Sequence, residues 1–493
     1  MLFIIYFILL LLLFKLKRHK QYRSPPGPKG LPIIGNLHQF DNSKPYVYLA
    51  ELAKTYGPIL SLRFGRVPII VVQSSKIAKE VLHTQDLNFC SRPSMIVFQK
   101  LSYGGLDIGF APYGEYFREI KKISVVYLLS SKRVDSFTPM LQDEVARLMK
   151  KINSLSSSSK VINLSELLLG YSSSNICRIA FGKRYEDNEG SRSRFHSLLN
   201  EAQALFTAFF FSDYFPYSGW LDKLTGQYSR LDKTFKDLDA FFEEIISDHI
   251  NPNKSESESD HEDIIDVLLH LKNQRCFEFS MNHIKAISMI IFIAGTDTSA
   301  AMVVWAMTEL IKNANSLKIV QEELRNAAQK KGEGSIDKTD LANLEYFKAV
   351  VKETFRLHPA VPLLAVHESI KKSIIEGYDI QPKTQVYINE WAIGRDPKIW
   401  KEPDKFMPER FLESTIDFKG YDFELIPFGA GRRMCPGLNL GVTNIELALA
   451  NLLIHFDWEI PPGLNRKDID TDTLPGITMH KKNPLCLMVK PYL

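Results

Sequence analysis

One stretch near the C-terminus carries residue types that could ligate a metal. Phe428-Gly-Ala-Gly-Arg-Arg-Met-Cys-Pro-Gly437 follows the pattern F-x-x-G-x-R-x-C-x-G. At average amino-acid usage such a pattern arises by chance in roughly one chain of this length in ten thousand. The glycines allow backbone N–H groups close to the sulfur of Cys435, and such hydrogen bonds tune a metal–thiolate bond. Gly437 and the apolar-periodic run from Leu438 to Phe456 place that sulfur near a helix N-terminus, whose partial positive charge favours a thiolate. Cys90, Cys177, Cys276 and Cys486 are widely scattered and form no CxxC pair. They read as small buried hydrophobes in a reducing compartment, with neither a disulfide framework nor a zinc site.

A second cluster lies in a long apolar pattern from Ala286 to Ile311, whose centre is Ile291-Phe-Ile-Ala-Gly-Thr-Asp-Thr-Ser299. Up to Thr308 its only charge is Asp297. A transmembrane helix would have this length, but an isolated aspartate mid-span is costly in lipid. A helix apolar all round also suits the centre of a large domain. The Thr-Ser patch is compatible either with chemistry or with hydroxyls back-bonded to carbonyls one turn earlier. A third motif, Lys352-Glu-Thr-Phe-Arg-Leu-His-Pro359, spaces Glu353 and Arg356 at i, i+3. On a solvated surface that pair is worth only ~0.2–0.5 kcal/mol.

Together these motifs resemble the cytochrome P-450 superfamily, specifically the large microsomal A-type group of plants. The resemblance spans essentially the whole chain, from the N-terminus and Pro25-Pro-Gly-Pro28 to His480-Lys-Lys482. It implies a mainly α fold with small β-sheets, a haem b cofactor and dioxygen as co-substrate. Cys435 is then the axial ligand of the haem iron, Phe428 the aromatic shielding its sulfur, and Arg433 a partner of a haem propionate. Ala294 and Gly295 would leave space for dioxygen, while Asp297 and Thr298 would deliver protons for O–O cleavage. Glu353, Arg356 and Arg410, of Pro408-Glu-Arg-Phe411, would form a buried structural triad.

Three positions depart from the family pattern. Where relatives read W-x-x-x-R this chain has Phe117-Arg-Glu-Ile-Lys121, and where an arginine follows the Pro359-Ala-Val-Pro-Leu-Leu364 segment it has His367. Lys121 and His367 therefore stand where relatives hold haem propionates with arginine forks. The expectation is looser haem binding, weakening as pH rises and any charge on His367 is lost. Sequence alone leaves open whether a propionate or burial decides that charge.

The elements that must position these residues follow the same mainly helical reading. Ile59 to Phe64 and Val67 to Val72, around Gly65-Arg66, predict a β-hairpin. Ser131 to Ile311 is mostly helical in period, broken by polar stretches at 154–160 and 251–262 that read as loops. Strand patterns return at Gln385 to Ile388 and Leu485 to Val489. Residues 36–493 form one haem-binding monooxygenase domain, because no linker divides them. Residues 24–35 are a Pro-rich, extended hinge. Residues 1–23 combine an uncharged apolar run, Leu2 to Phe14, with a basic flank from Lys15 to Arg23. The run is short for a span, but the charge lies only after it and no A-x-A site follows, which favours an uncleaved anchor over a signal peptide. The basic flank keeps the body on the cytosolic side. The expected location is the endoplasmic reticulum membrane, single-pass.

The whole chain of 493 residues is 45% hydrophobic and 24% charged, ordinary globular composition, and a net charge of +4 gives no reason to invoke nucleic acid. Without a G-x-G-x-x-G fingerprint the chain needs NADPH through a separate partner, NADPH-cytochrome P-450 reductase, with cytochrome b5 as a second donor. By resemblance, Lys122, Lys132, Arg133 and Arg432 lie on the docking face, and substrate contacts fall at 92–112, 206–220, 291–298, 360–366 and 475–478. Those segments are mostly apolar and aromatic, as for a lipophilic small molecule of plant specialised metabolism. A haem-thiolate isomerase or dehydratase is the alternative, and a non-catalytic haem protein a third reading. Both fit less well with an intact Asp297-Thr298. Removing residues 1–23 is expected to move much of the protein from the membrane pellet to the supernatant, and protease protection of the C-terminus in intact microsomes would contradict the topology.

Overall fold

A computed structural model describes residues 23–492, apart from 157–160, 186–188, 252–261, 275–278 and 333–335. The apolar run and most of its basic flank, and much of both polar stretches, lie outside the described residues. The proline-rich segment is laid along the first strand: Ser61 donates from its backbone N to Pro26 (2.8 Å) and from Oγ to Pro25 (2.7 Å). Arg63 forks onto the carbonyls of Leu31 (2.6 Å) and Pro32 (3.1 Å).

The expected hairpin forms from β1 (Ile59–Phe64) and β2 (Val67–Val72), antiparallel with Ile59 opposite Val72. Gly65 turns it at φ 55°, where a side chain would meet the Tyr214 carbonyl at 2.3 Å. β3 (His367–Glu368) and β4 (Gln385–Ile388) complete a four-stranded sheet in the order β1-β2-β4-β3. β4 runs parallel to β2 and antiparallel to β3, with His367 opposite Val386. The C-terminal strand is Cys486–Pro491, one residue beyond its expected start, and pairs with Ile162–Asn163 and Phe456–Glu459.

The remaining architecture is helical. α1 (Glu115–Lys122), α2 (Leu164–Phe181), α3 (Met281–Lys312), α4 (Glu345–Leu357) and α5 (Leu438–His455) are the helices that build the site. α3 extends five residues further upstream than the periodicity predicts. It is apolar enough to cross a membrane, yet most of its side chains are buried inside the protein, packed on α2 and α5. Its lack of an amphipathic stripe follows from being covered on nearly every side. Ala294, exposed midway along it, is the exception.

α4 is fixed by a charge cluster whose central pair is closed to water. Glu353 and Arg356 both have side chains 0% exposed. Arg356 donates from Nε and Nη2 to the two Glu353 oxygens at 2.7 and 2.8 Å, and Arg410 donates from Nε at 3.1 Å. Met407 N adds a further hydrogen bond to Glu353 at 2.7 Å. The spare guanidinium donors reach the carbonyls of Gly394, Pro403, Lys405 and Lys401, with Trp400 beneath both arginines. A pair that sequence spacing alone would leave on the surface is therefore buried, and full hydrogen bonding is what makes that burial tolerable. Glu353→Gln leaves two guanidiniums without a countercharge. It is expected to destabilise the fold by about 3–5 kcal/mol, measured as a lowered thermal midpoint, and an unchanged midpoint would contradict the cluster's role.

Candidate active site

The loop bearing Cys435 is closed by its own backbone: Cys435 N donates to the Phe428 carbonyl at 2.9 Å and Gly429 N to Ile426 at 2.8 Å. Gly431, at φ 67°, lies so close to the preceding helical segment that a side chain would meet the Leu82 carbonyl at 2.1 Å. No other residue fits there. The adjacent Arg432 N donates to Asp86 at 3.1 Å. Gly437 caps α5, and its N–H points at the Cys435 sulfur, which a Cβ on Gly437 would approach to 3.8 Å.

Cys435 is solvent-accessible, but enough protein surrounds its sulfur for burial to push the thiol pKa up, with the Gly437 N–H acting the other way. Burial thus opposes the thiolate that the helix terminus favours. Phe428 packs edge-on against Phe355 of α4 at 5.4 Å and tilted against Phe418 at 5.9 Å. A Cβ on Gly441 would lie 3.8 Å from the Phe428 ring and 3.9 Å from Ser299 Oγ, so the cysteine loop and the centre of α3 are neighbours in space.

On α3, Ala294 is exposed and Thr298 half-buried. Gly295 differs from its expected role. A side chain there would meet Ile176 of α2 at 2.6 Å, so this glycine permits close helix packing rather than leaving open space. Thr298 Oγ1 donates to the Ala294 carbonyl at 2.8 Å. That leaves its lone pairs free to accept from the open side. Asp297 turns the other way, and its Oδ2 meets His480 Nε2 at 2.6 Å.

A basic cluster adjoins the cysteine loop. Arg433 donates to the carbonyls of Cys90 (2.6 Å), Ile108 (3.3 Å) and Ala111, with its guanidinium 3.7 Å above the Phe117 ring. Phe117 thus replaces an indole donor with a face for a cation. Arg92, which sequence reasoning treated only as the edge of a substrate segment, is buried beside it. It donates to Gly109 (3.0 Å), Ala365 (2.6 Å) and Val366 (2.7 Å). Burial lowers the Arg433 pKa to about 10 and drives that of Arg92 well down. The nearby carboxyl of Asp107 is itself pushed up to about 7 by burial. One buried and one half-buried guanidinium bonded to neutral carbonyls, with one weakly ionised acid nearby, call for additional negative charge. A dicarboxylate macrocycle ligated at Cys435 fits that need.

Lys121 donates to the Arg432 carbonyl, and burial lowers its pKa. His367 is buried and donates from Nδ1 to the Phe89 carbonyl at 3.0 Å. Burial first, then the charges of Arg92 and Arg433, hold its pKa well below the ordinary value. Within the protein itself, burial and the two guanidiniums thus favour a neutral imidazole.

The sequence pattern of the family described as Cytochrome P450 matches residues 25–488. The chain belongs to the cytochrome P450 family. It is a monooxygenase with a haem cofactor, similar to 6,7,8-trihydroxycoumarin synthase of Pastinaca sativa, 48% identical over 98% of this chain and 96% of that protein. 5-OH-xanthotoxin synthase of Ammi majus is 47% identical (97% and 94%), and Strychnine-11-hydroxylase of Strychnos nux-vomica is 45% identical (97% and 94%). A solved zebra fish cytochrome P450 with progesterone shares the fold at a TM-score of 0.76, covering 91% of this chain and 99% of that one at 23% identity.

Burial and the two guanidiniums disfavour a charge on His367. With a folded pKa depressed below the unfolded ~6.5, it leaves stability intact above that pH and costs stability as pH falls below it. Haem occupancy of the purified protein is therefore expected to be flat from about pH 6.5 to 8, and a loss on raising pH that His367→Gln abolishes would contradict this reading.

Proposed function

We propose that this monooxygenase hydroxylates a planar, lipophilic fused-ring molecule. The reading is supported by three phenylalanines: Phe98 stacks on Phe110 at 4.3 Å, and Phe206 stacks on Phe110 at 5.4 Å. They come from segments 92–112 and 206–220, and offer flat apolar faces rather than hydrogen-bonding groups. The coumarin and xanthotoxin of the relatives' names are compounds of that kind.

Cys435 would hold haem b, which when bound would supply the iron for dioxygen activation. Arg433 and Arg92 would hold its propionates, with Lys121 and His367 at the edge of that cluster. Phe428 screens the sulfur side, and the Glu353–Arg356–Arg410 cluster holds the scaffold beneath it. Thr298, its hydroxyl proton committed to Ala294, accepts a hydrogen bond from the reacting side, and Asp297 moves protons toward it. An intact Asp297-Thr298 pair favours oxygenation over the isomerase reading.

Electrons come from NADPH through NADPH-cytochrome P-450 reductase, with cytochrome b5 as a second donor. Lys122 and Lys132 are exposed and suit an acidic partner, while Arg432 is partly engaged with Asp86 and Arg133 with Glu262, each at 3.3 Å. Residues 1–23 anchor the chain in the endoplasmic reticulum membrane, residues 24–35 form the hinge, and the catalytic domain of 36–493 faces the cytosol. The cysteine motif carries the reading. Cys435→Ser is expected to abolish the thiolate-type carbon monoxide difference spectrum and activity together, and an unchanged spectrum would exclude Cys435 as the ligand.

A further inference from the structure

We infer that His480 is the solvent-side proton donor to Asp297. The inference rests on the reading of Asp297 as part of the proton path. His480 Nε2 lies 2.6 Å from Asp297 Oδ2; the aspartate side chain is 6% exposed and the imidazole 29%. The contact therefore joins a carboxylate enclosed in the central helix to a group that water reaches. The loop around His480 is exposed at 474–477 and again at 482–484.

The contact is built rather than incidental. Met479, one residue earlier, is held on both sides. Its N–H donates to the Ala360 carbonyl at 2.8 Å, and its carbonyl accepts from Trp305 Nε1 at 2.6 Å. Trp305 is on α3 eight residues beyond Asp297, about 12 Å along the axis. The loop is thus tied to the same helix at two points. His480 itself is braced, its N–H donating to Thr478 at 3.0 Å and its carbonyl accepting from Leu474 at 2.9 Å. Neighbouring charges on these elements are engaged elsewhere. Lys481 pairs with Asp470 at 2.9 Å, Asp472 with Lys44 at 2.8 Å, and Glu309 of α3 with His358 at 2.8 Å. Asp297 and His480 form a pair of their own.

The step balances without any further reactant. Protonated His480 passes its Nε2 proton to Asp297 Oδ2 and is reprotonated from solvent, and the carboxyl, after rotating from His480 toward the open side bordered by Thr298, releases that proton there and returns to carboxylate. Imidazole is suited to this because its ring nitrogens can both take up and release a proton. A glutamine could keep the hydrogen bond to Asp297 but cannot carry the proton.

The test uses the full-length protein reconstituted with reductase, comparing wild type with His480→Ala, His480→Gln and Asp297→Asn. The readouts are NADPH-driven turnover and its solvent deuterium isotope effect. A retained thiolate carbon monoxide spectrum shows that each variant is folded around haem. Both histidine variants are expected to lose turnover by roughly ten-fold or more, with an enlarged isotope effect, and to add nothing in the Asp297→Asn background. Full activity in His480→Gln with loss in His480→Ala would reduce His480 to a positioning role and overturn the inference. So would wild-type behaviour of both histidine variants while Asp297→Asn is impaired. Wild-type turnover and isotope effect in Asp297→Asn would instead overturn the underlying reading of Asp297.

Discussion

Both oxygens of Glu353 are used up by guanidinium and backbone donors, and none of that bonding is shared with water. A carboxylate so enclosed cannot shift without leaving buried charges unpaired, so α4 has one position relative to the segments at 394–410. Phe355 on that helix meets the Phe428 ring, and Phe428 accepts the backbone hydrogen bond of Cys435. The place of the sulfur thus follows from a salt-bridge cluster that has no part in the chemistry. Gly431 adds a second restraint by bringing the loop against the Leu82 carbonyl.

Electrostatics set what that place can hold. Burial favours the neutral thiol at Cys435 and the neutral ring at His367, and weakens the acid at Asp107. Arg433 and Arg92 resist deprotonation because an arginine begins so far above neutral pH. The balance beside the cysteine loop is positive and confined, which suits a ligand carrying two carboxylates. The substitution of Phe117 for tryptophan and of His367 for arginine therefore leaves this cluster with two guanidiniums, one of them resting on the Phe117 face.

The facing helix divides its work by direction. Gly295 turns toward α2 and lets the helices touch, Thr298 borders the open side, and Asp297 turns toward the C-terminal loop. Successive residues 100° apart on a helix necessarily look different ways. One short motif can therefore serve packing, hydrogen bonding and proton transfer at once.

Much of this was legible in the sequence. The ten residues around Cys435 carry the family resemblance, and periodicity alone located α3, α5, the β1–β2 hairpin and the strand Gln385–Ile388. These are local properties, written in neighbouring residues. Glu353 and Arg356 were visible as a spacing, but their burial was not, because it depends on carbonyls 38 to 49 residues away. Arg92 gave no signal of its role, since its companions Ala365, Val366 and Arg433 arrive from distant parts of the chain. The charge of His367 and the partner of Asp297 were undecidable for the same reason. Residue type sets what a group can do, but burial and the company of groups 183 or 278 residues away decide what it does, and only the tertiary structure supplies those.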